Sequence, residues 1–452
     1  MKTAAFLLLV LGSFASARAE TEITHAVSLS SGLLSNLSAE TEVRVVGVLA
    51  IPDATVLRVR ISAAVLGLAS KVRFVSLKDG QSQTLDAAQL GLWGQTSALF
   101  NGDAVRVELL VAGGDSGVSL SVQQVFSYAA AAQPGPTLQR SGDSAPETLC
   151  GTDDRVASGD NRVGRLSGGC TGWLVSNGAV LTAGHCPIGA GSIFEVNVPP
   201  SLPNGGIVAS AVQDQFPVVG GSTTLDNNGL GDDWQVFTLG ENNLKQFAHE
   251  RHGFFRMTPG VPGAGSTFRV TGCGIDNTPV GSEPTVCGNR DSSGNCTHFG
   301  LNAQNQTLQT ATGSFTALIG SLLIYSVDTE PANSGSPIIW AGTGFAVGIH
   351  TLGGCTSSGG SNSGTSFSFP GLENAIAAVP GPNTRYLDTL KEPGGSEDGT
   401  IFRPYDTLAE AVNAVPVAGR ISIVRGNYFA VGITITKAMT LSAPVGPVNL
   451  GN

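Results

Sequence analysis

The sequence carries little charge. Only 13% of its 452 residues are Asp, Glu, Lys or Arg, the formal net charge is −10, and no cluster of basic residues occurs. Nucleic acids and anionic membrane surfaces attract proteins through basic patches, so neither is expected as a partner. After its first residues, the sequence also lacks any apolar run near the roughly 20 residues that a membrane-spanning helix needs.

The first 19 residues are typical of a secretory signal peptide. Met1-Lys2-Thr3 precedes a short apolar run, and Ala17-Arg18-Ala19 is a small-residue cleavage site. Removal of this segment leaves no membrane anchor, so we expect a secreted protein, extracellular or periplasmic. Seven cysteines fit an oxidising compartment, and their odd number leaves one unpaired or intermolecular. Cys287 and Cys296 are expected to close a small loop.

Glycine is abundant, with 61 residues, and this favours short strands and turns over helices. The length predicts two or three domains. Residues 20–128 alternate apolar and polar residues, which predicts an N-terminal antiparallel β-sandwich. Its expected strands include Val43–Val45, Val56–Ile61, Val72–Val75, Val105–Leu109 and Val118–Val122. The domain is either a pro-region or an accessory binding module.

A serine flanked by small residues, Asn333-Ser334-Gly335, precedes an apolar run from Pro337 to Trp340. A tight turn of this kind holds a hydroxyl away from the backbone and leaves main-chain N–H groups free to stabilise an oxyanion. The same tripeptide is common in ordinary turns. The motif alone therefore leaves both a nucleophile and a plain turn open.

A histidine lies in a second distinctive stretch. Residues 169–175 and 179–186 read as two strands joined through Asn177-Gly178, the strongest short hairpin signal. His185 is followed at once by Cys186, and a disulfide from Cys186 to Cys170 would clamp the loop that carries the histidine. A buried structural histidine is the alternative, but it explains neither the two cysteines nor the serine motif.

Both motifs resemble those of the trypsin-like serine peptidases: Thr-Ala-Gly-His-Cys at 182–186 and Asn-Ser-Gly-Ser-Pro at 333–337. The ending Ser-Gly-Ser-Pro is similar to the bacterial glutamyl endopeptidase branch, and the stretch 151–155 resembles the start of mature enzymes of that branch. The resemblance implies a peptidase domain over 149–380 with a chymotrypsin-like double β-barrel, in a mainly β chain.

The resemblance also implies a Ser-His-Asp triad. In it Ser334 attacks the scissile carbonyl, His185 carries the proton, and Asp233 rather than the adjacent Asp232 orients the imidazole. The N–H groups of Ser334 and Ala332 would form the oxyanion hole. The family has glycine where this chain has Ala332, and a residue with a Cβ is expected to be strained there.

Two specificities compete in the primary pocket. Asp328, six residues before Ser334, would select Arg or Lys if it lay at the base of the pocket. Thr329 and His350 match pocket positions of the glutamyl endopeptidases, where a hydroxyl and an imidazole bind a substrate carboxylate. We expect cleavage after Glu, with Asp second. The alternative for His350 is a strand histidine that the backbone satisfies.

Maturation is also implied by the resemblance, which places the mature amino terminus within about residues 140–152 and makes the preceding domain the pro-region of a zymogen. Asn333 stands where trypsin-type zymogens carry an aspartate that pairs with the new amine, so activation would work differently here. Residues 129–148, with an Ala-rich run followed by Pro-Gly-Pro, are a predicted linker.

Residues 381–452 change character. A helix over Thr407–Val415 and strands at Ile421–Val424 and Ile433–Ile435 are predicted. This segment resembles the cap and first coils of a right-handed parallel β-helix, as in pectate-lyase-like proteins. It has room for about two coils, so it is truncated or degenerate, and no activity is assigned to it.

The sequence thus predicts a secreted serine endopeptidase acting on protein or peptide substrates, with no cofactor and no metal. His249 and His252 are three residues apart, not the four of a zinc-binding helix, so a solvated segment is expected there. The alternative function is a catalytically weak or inactive peptidase-fold protein that displays its β modules for binding at the cell exterior.

Overall fold

The computed structural model describes residues 22–129, 149–151, 153–202, 205–275, 304–356, 359–379, 381, 383–390 and 396–451. The predicted signal peptide, nearly all of the predicted linker and the Cys287–Cys296 pair lie outside them. The fold is mainly β, as the sequence predicted. No helix in the described ranges has the length and apolar character needed to cross a membrane.

The N-terminal domain consists of two four-stranded antiparallel sheets, in the orders β1-β8-β3-β6 and β2-β7-β4-β5. Alternating side chains from both sheets fill one apolar core that includes Leu57, Phe74 and Val107. The five expected strands are all present. The elements are β1 (Ile23–Ser30), β2 (Glu42–Ala50), β3 (Ala54–Val65), β4 (Lys71–Ser76), β5 (Ser82–Leu85), α1 (Ala87–Leu92), β6 (Phe100–Asn101), β7 (Ala104–Val111) and β8 (Ser119–Ala129).

The middle of the chain forms two seven-stranded sheets. The first, in the order β14-β13-β10-β11-β12-β16-β15, is an incomplete barrel. Its strands are β10 (Val163–Leu166), β11 (Cys170–Leu174), β12 (Ala179–Thr182), β13 (Ile193–Glu195), β14 (Gln215–Pro217), β15 (Thr224–Gly229) and β16 (Asp232–Thr238). A 3-10 turn over Val212–Asp214 precedes β14, and helix α2 (Ala248–His252) follows the sheet.

The second sheet, in the order β17-β20-β21-β24-β19-β18-β9, closes into a six-stranded barrel because β17 also pairs with β18. The two sheets together give the double-barrel architecture expected for residues 149–380. The elements are β9 (Val156–Ala157), β17 (Thr267–Gly272), β18 (Gln309–Ile319), β19 (Leu322–Ser326), β20 (Pro337–Trp340), β21 (Ala346–Leu352), β22 (Cys355–Thr356), β23 (Gly359–Gly360), β24 (Asn362–Ser366) and α3 (Pro370–Ala378).

One apolar cluster joins the two barrels. It contains Trp173 and Leu181 from the first sheet and Ile339 and Ile349 from the second, all with no exposed surface. The Trp173 ring meets Phe255 edge to face, with centroids 5.6 Å apart. Such aromatic pairs fix geometry as well as burying area. This shared core sets the first barrel, which carries His185, against the second barrel, whose strand β20 follows Ser334.

The C-terminal strands pair in parallel, in the orders β25-β26-β28 and β27-β29. The predicted helix is present, and Thr407 caps it by accepting a hydrogen bond from the Glu410 N–H. The predicted strand at Ile433–Ile435 is wrong. A turn at Gly432 precedes these residues, which form no strand, and the next strand begins at Met439. The elements are β25 (Thr384–Leu387), α4 (Leu408–Ala414), β26 (Gly419–Ile423), β27 (Gly426–Phe429), β28 (Met439–Ser442) and β29 (Val448–Gly451).

Candidate active site

His185 and Asp233 are joined by two hydrogen bonds. The ring Nδ1 of His185 lies 2.7 Å from Asp233 Oδ2, and the main-chain N–H of His185 donates to Oδ1 at 3.0 Å. The carboxylate is 8% exposed. With both oxygens engaged by one residue, the acid fixes the position of the imidazole and selects the tautomer that carries its proton on Nδ1.

Local sterics bring these two side chains together. His185 follows strand β12, and Asp233 lies on the neighbouring strand β16. A Cβ on the intervening Gly184 would lie 2.0 Å from the Asp226 carbonyl oxygen, so only glycine allows this close approach. Thr365 holds the acid from the other barrel, because its Oγ1 accepts from the Asp233 N–H at 3.1 Å and donates to the Asp233 carbonyl at 2.9 Å.

Asp232 has different partners. Its carboxylate accepts from Trp234 Nε1 at 3.1 Å and from Asn228 Nδ2 at 3.0 Å. Of the two adjacent acids, Asp233 and not Asp232 contacts His185.

Ser334 lies half-buried on a turn that main-chain hydrogen bonds hold in place. Its carbonyl accepts from the Thr171 N–H at 2.9 Å, and the next residue, Gly335, donates to the His350 carbonyl at 2.8 Å. Gly335 has φ +93°, and a Cβ there would lie 2.1 Å from both the Thr171 carbonyl and Thr182 Oγ1. The turn is thereby wedged between strands β11 and β21, one from each barrel.

Two N–H groups of this turn make no hydrogen bond to any of the described residues: those of Ala332 and Ser334. The carbonyls on the opposite sides of the same peptides are engaged, since Pro331 O accepts from Ile275 at 2.8 Å and Asn333 O accepts from Ser336 at 2.9 Å. A trans peptide directs its N–H opposite to its carbonyl. Each of the two N–H groups therefore points away from an engaged carbonyl and has no acceptor among the described residues, and unengaged main-chain donors are the groups from which an oxyanion hole is built.

Ala332 adopts φ +76°, in the left-handed region. A residue with a Cβ loses roughly 1–2 kcal/mol in this conformation relative to the ordinary ones. Thr171 holds it there by donating a hydrogen bond from Oγ1 to the Ala332 carbonyl at 3.0 Å. The sequence predicted backbone strain at Ala332, and its positive φ agrees with that prediction.

Thr329 and His350, the expected pocket residues, are both buried and both contact other side chains. Asn362 Nδ2 donates to Thr329 Oγ1 at 3.0 Å, and Tyr325 OH lies 2.5 Å from His350 Nδ1. Burial, and then the charge of nearby His185, lower the pKa of His350 to about 3. The ring is therefore neutral at physiological pH.

Asp328 is turned towards the start of the peptidase domain. Its Oδ1 accepts from the Cys150 N–H at 2.6 Å and its Oδ2 from the Asp154 N–H at 2.9 Å. A carboxylate that is 5% exposed and satisfied by two main-chain donors is already occupied. This disfavours the Arg or Lys pocket that the position of Asp328 would otherwise suggest.

Two disulfides occur among the described residues. Cys170–Cys186 clamps the histidine loop as the sequence predicted, and Cys150–Cys355 links residues 205 apart. Sequence reasoning left the second one open, because only the fold brings its two ends together. It also missed Asn362, whose Oδ1 accepts from the Gly354 and Cys355 N–H groups beside the disulfide. A buried asparagine on a strand gives no signal of such a role.

The segment with His249 and His252 is less solvated than expected. The His252 side chain is 5% exposed and its Nε2 lies 3.6 Å from Asp214 Oδ1. The Phe216 ring packs against it edge to face, with centroids 6.1 Å apart. This histidine has a structural environment because α2 packs on the first barrel.

Comparison with protein-family models and with curated proteins gives no match. Among solved structures, a Glu endopeptidase in complex with MPD is similar over 51% of this chain and 99% of its own, with 19% identity and a TM-score of 0.37. A thermostable serine protease, AL20 from an extremophilic microorganism, is similar over 48% and 95%, with 14% identity and a TM-score of 0.34. At such values neither likeness bears on the chemistry. The fold class therefore rests on the two sheets themselves, a closed six-stranded barrel and an incomplete one.

Proposed function

We propose that the chain is a secreted serine endopeptidase whose catalytic residues are Ser334, His185 and Asp233. The observation that carries the proposal is the double hydrogen bond from His185 to Asp233, next to a serine turn with two oriented, unengaged N–H groups. A structural histidine needs one partner, whereas a general base needs a fixed tautomer and a free Nε2. The hydrogen bond from His185 Nδ1 to Asp233 supports the fixed tautomer.

In the proposed reaction, Ser334 Oγ attacks the scissile carbonyl carbon while His185 Nε2 takes the hydroxyl proton. The tetrahedral oxyanion accepts hydrogen bonds from the Ala332 and Ser334 N–H groups. The C–N bond then breaks, His185 returns the proton to the leaving amine, and an acyl-enzyme ester remains. A water molecule, deprotonated by the same imidazole, attacks the ester carbonyl; the bond from Ser334 Oγ to the acyl carbon breaks, His185 returns the proton to Ser334 Oγ, and the carboxylic acid product leaves.

For the substrate, we infer a preference for Glu, then Asp, before the scissile bond. Thr329 and His350 would supply neutral hydrogen-bond donors for the carboxylate, since the low pKa of His350 keeps its ring uncharged. The competing basic specificity needs a free Asp328 carboxylate, and both of its oxygens are engaged by Cys150 and Asp154. Buried polar groups discriminate sharply because a substrate without a matching partner leaves them unpaired.

A second candidate is a peptidase-fold protein with little or no turnover. The observation that favours it is Ala332 at φ +76°, since strain at an oxyanion donor opposes the active geometry.

Secretion, proposed from residues 1–19, is compatible with the two disulfides.

A panel of internally quenched peptides that differ only in the residue before the cut separates these candidates. The endopeptidase proposal predicts cleavage after Glu that falls on the order of 10⁴-fold or more in Ser334→Ala. Saturable peptide binding without cleavage in the unmodified protein would instead support the second candidate. Cleavage that persists in the Ser334→Ala variant would refute the catalytic assignment.

A further inference from the structure

The N-terminal sandwich contacts the first barrel through amide side chains, each of which hydrogen-bonds to the backbone of the other domain. Gln215, on strand β14, accepts from the Leu99 N–H at 2.8 Å and donates to the Leu99 carbonyl at 2.9 Å. In the opposite direction, Asn101 of the sandwich donates to the Ala209 carbonyl at 3.1 Å and accepts from the Ala209 N–H at 2.8 Å. Each domain thus extends an amide into the other's backbone, and Gln215 has no exposed surface.

A buried cation crosses the same boundary. Arg58 of strand β3 is 5% exposed and donates to the Gly191 carbonyl of the barrel, as well as to Ser97 O at 3.1 Å. The backbones of the two domains approach closely here: a Cβ on Gly94 would lie 2.9 Å from the Gly191 Cα. Without the barrel, Arg58 would lose one of its acceptors, and buried charges are stable only when their hydrogen bonds are satisfied.

The apolar core is shared as well. The sandwich cluster that contains Trp93, Leu99 and Phe100 continues into the barrel, where its members are Ile193, Ile207, Ala209 and Val212. All four are at most 5% exposed with the sandwich in place. Interfaces that are as apolar as the core of a domain are typical of permanent complexes rather than of transient ones.

The sandwich surface also lies apart from the proposed catalytic residues. Its hydrogen bonds to the barrel end on Gly191, Ala209, Val212 and Gln215, and within the described ranges none ends on His185, Asp233 or Ser334. An inhibitory pro-segment works by occupying the catalytic cleft. These contacts instead join four residues of the barrel segment to the core of the sandwich.

The start of the peptidase domain is held independently. The Cys150–Cys355 disulfide and the main-chain hydrogen bonds from Cys150 and Asp154 to the Asp328 carboxylate hold Cys150 and Asp154 in place. None of these groups is a free amino terminus. After a cut between the two domains, Cys150 and Asp154 would therefore keep these contacts.

We propose that the N-terminal sandwich is a permanent subunit of the first barrel, which stays bound after the chain is cut between residues 129 and 149. Its partner is the barrel surface formed by residues 191–193 and 207–215 of the same chain. This differs from a pro-region that is removed on maturation, and it does not depend on catalysis.

The test uses the full chain carrying Ser334→Ala, which prevents self-digestion, with the recognition sequence of a site-specific protease inserted within residues 130–148. After cutting under native conditions, size-exclusion chromatography should give one peak that contains both fragments and matches the uncut protein. A separate peak for the sandwich fragment, with the remainder still folded by circular dichroism, would overturn the proposal.

Two single substitutions in the same segment sharpen the result. Gln215→Ala leaves the Leu99 N–H and carbonyl unpaired, so the cut complex should dissociate at least about tenfold more readily. Gln213→Ala, two residues away with an exposed side chain, should leave the complex unchanged. Equal stability of the two cut variants would contradict the interface described here. If Gln215→Ala does not fold, the cut protein with Gln215 intact still decides the proposal.

Discussion

The carboxylate of Asp328 accepts a hydrogen bond from the main-chain N–H of Asp154 at 2.9 Å, which brings two acidic residues 174 apart in sequence side by side. Burial, and then the Asp328 charge, raise the pKa of the Asp154 carboxyl from 3.8 to about 6. The first residues of the peptidase domain are thereby docked through an acid pair whose interaction depends on pH.

The first prediction concerns this pair. Because the pKa of Asp154 is raised in the fold, its contribution to stability is complete below about pH 4 and is lost as the pH rises through about 6. The Asp154→Asn variant lacks this titration. Its melting temperature should exceed that of the unmodified protein by a margin that grows from about pH 4 to about pH 7. A constant margin across that range would contradict the assignment.

Asp328 is predicted to act in structure and not in specificity. Asp328→Ala should lower the free energy of unfolding by roughly 1.5–3 kcal/mol, the value of hydrogen bonds to a charged group. The preference among peptides that vary in the residue before the cut should stay unchanged. Chemical denaturation and the peptide panel measure the two effects, with the exposed Asp103→Ala as the control for charge. If the unmodified protein cleaves after Arg or Lys and Asp328→Ala does not, Asp328 lines the pocket and the prediction is wrong.

The strain at Ala332 predicts an ordered series of variants. Ala332→Gly removes a Cβ from a residue at φ +76°, which recovers about 1–2 kcal/mol of strain and is offset in part because glycine raises the backbone entropy of the unfolded chain. The kcat for peptide hydrolysis should rise, by at most about tenfold for 1.4 kcal/mol. Ala332→Val, with a branched Cβ, should lower both stability and kcat. A kcat that is the same in all three proteins would show that the strain does not reach the oxyanion donors.

Tyr325 is predicted to position His350. Tyr325→Phe removes the hydroxyl 2.5 Å from His350 Nδ1, so the imidazole loses the partner that fixes its tautomer. The ratio of kcat/KM for Glu over Gln peptides should fall about three- to tenfold, the effect of one hydrogen bond of roughly 0.7–1.4 kcal/mol. Tyr386→Phe, in the C-terminal module, is the matched control. An unchanged ratio in Tyr325→Phe would contradict the prediction that Tyr325 positions His350 for substrate binding.

The residues that sequence reasoning placed correctly are mostly governed by local sterics. The hairpin through Asn177-Gly178 and the Thr407 cap depend on turn and capping rules that act over a few residues. The sandwich strands follow from period-two alternation. The failed strand at Ile433–Ile435 shows the limit of the same rule, since an alternation of only three residues does not by itself form a strand.

Relationships across long separations could not be predicted. The Cys150–Cys355 disulfide, the Asn362 hydrogen bonds and the Gln215–Leu99 contact each join segments that only the folded barrels bring together. Asp328 is the instructive case. Its spacing from Ser334 allowed a pocket role, and only the position of residues 149–155 shows that the carboxylate faces elsewhere.

The central claim is that Ser334 is an activated nucleophile, and covalent labelling tests it most directly. The purified protein should be treated with a serine-directed fluorophosphonate and its intact mass measured, with and without Ser334→Ala. We predict one adduct on the unmodified protein, located on the peptide that contains Ser334, and none on the variant. No adduct on the folded, unmodified protein, or an undiminished adduct on Ser334→Ala, would contradict the claim.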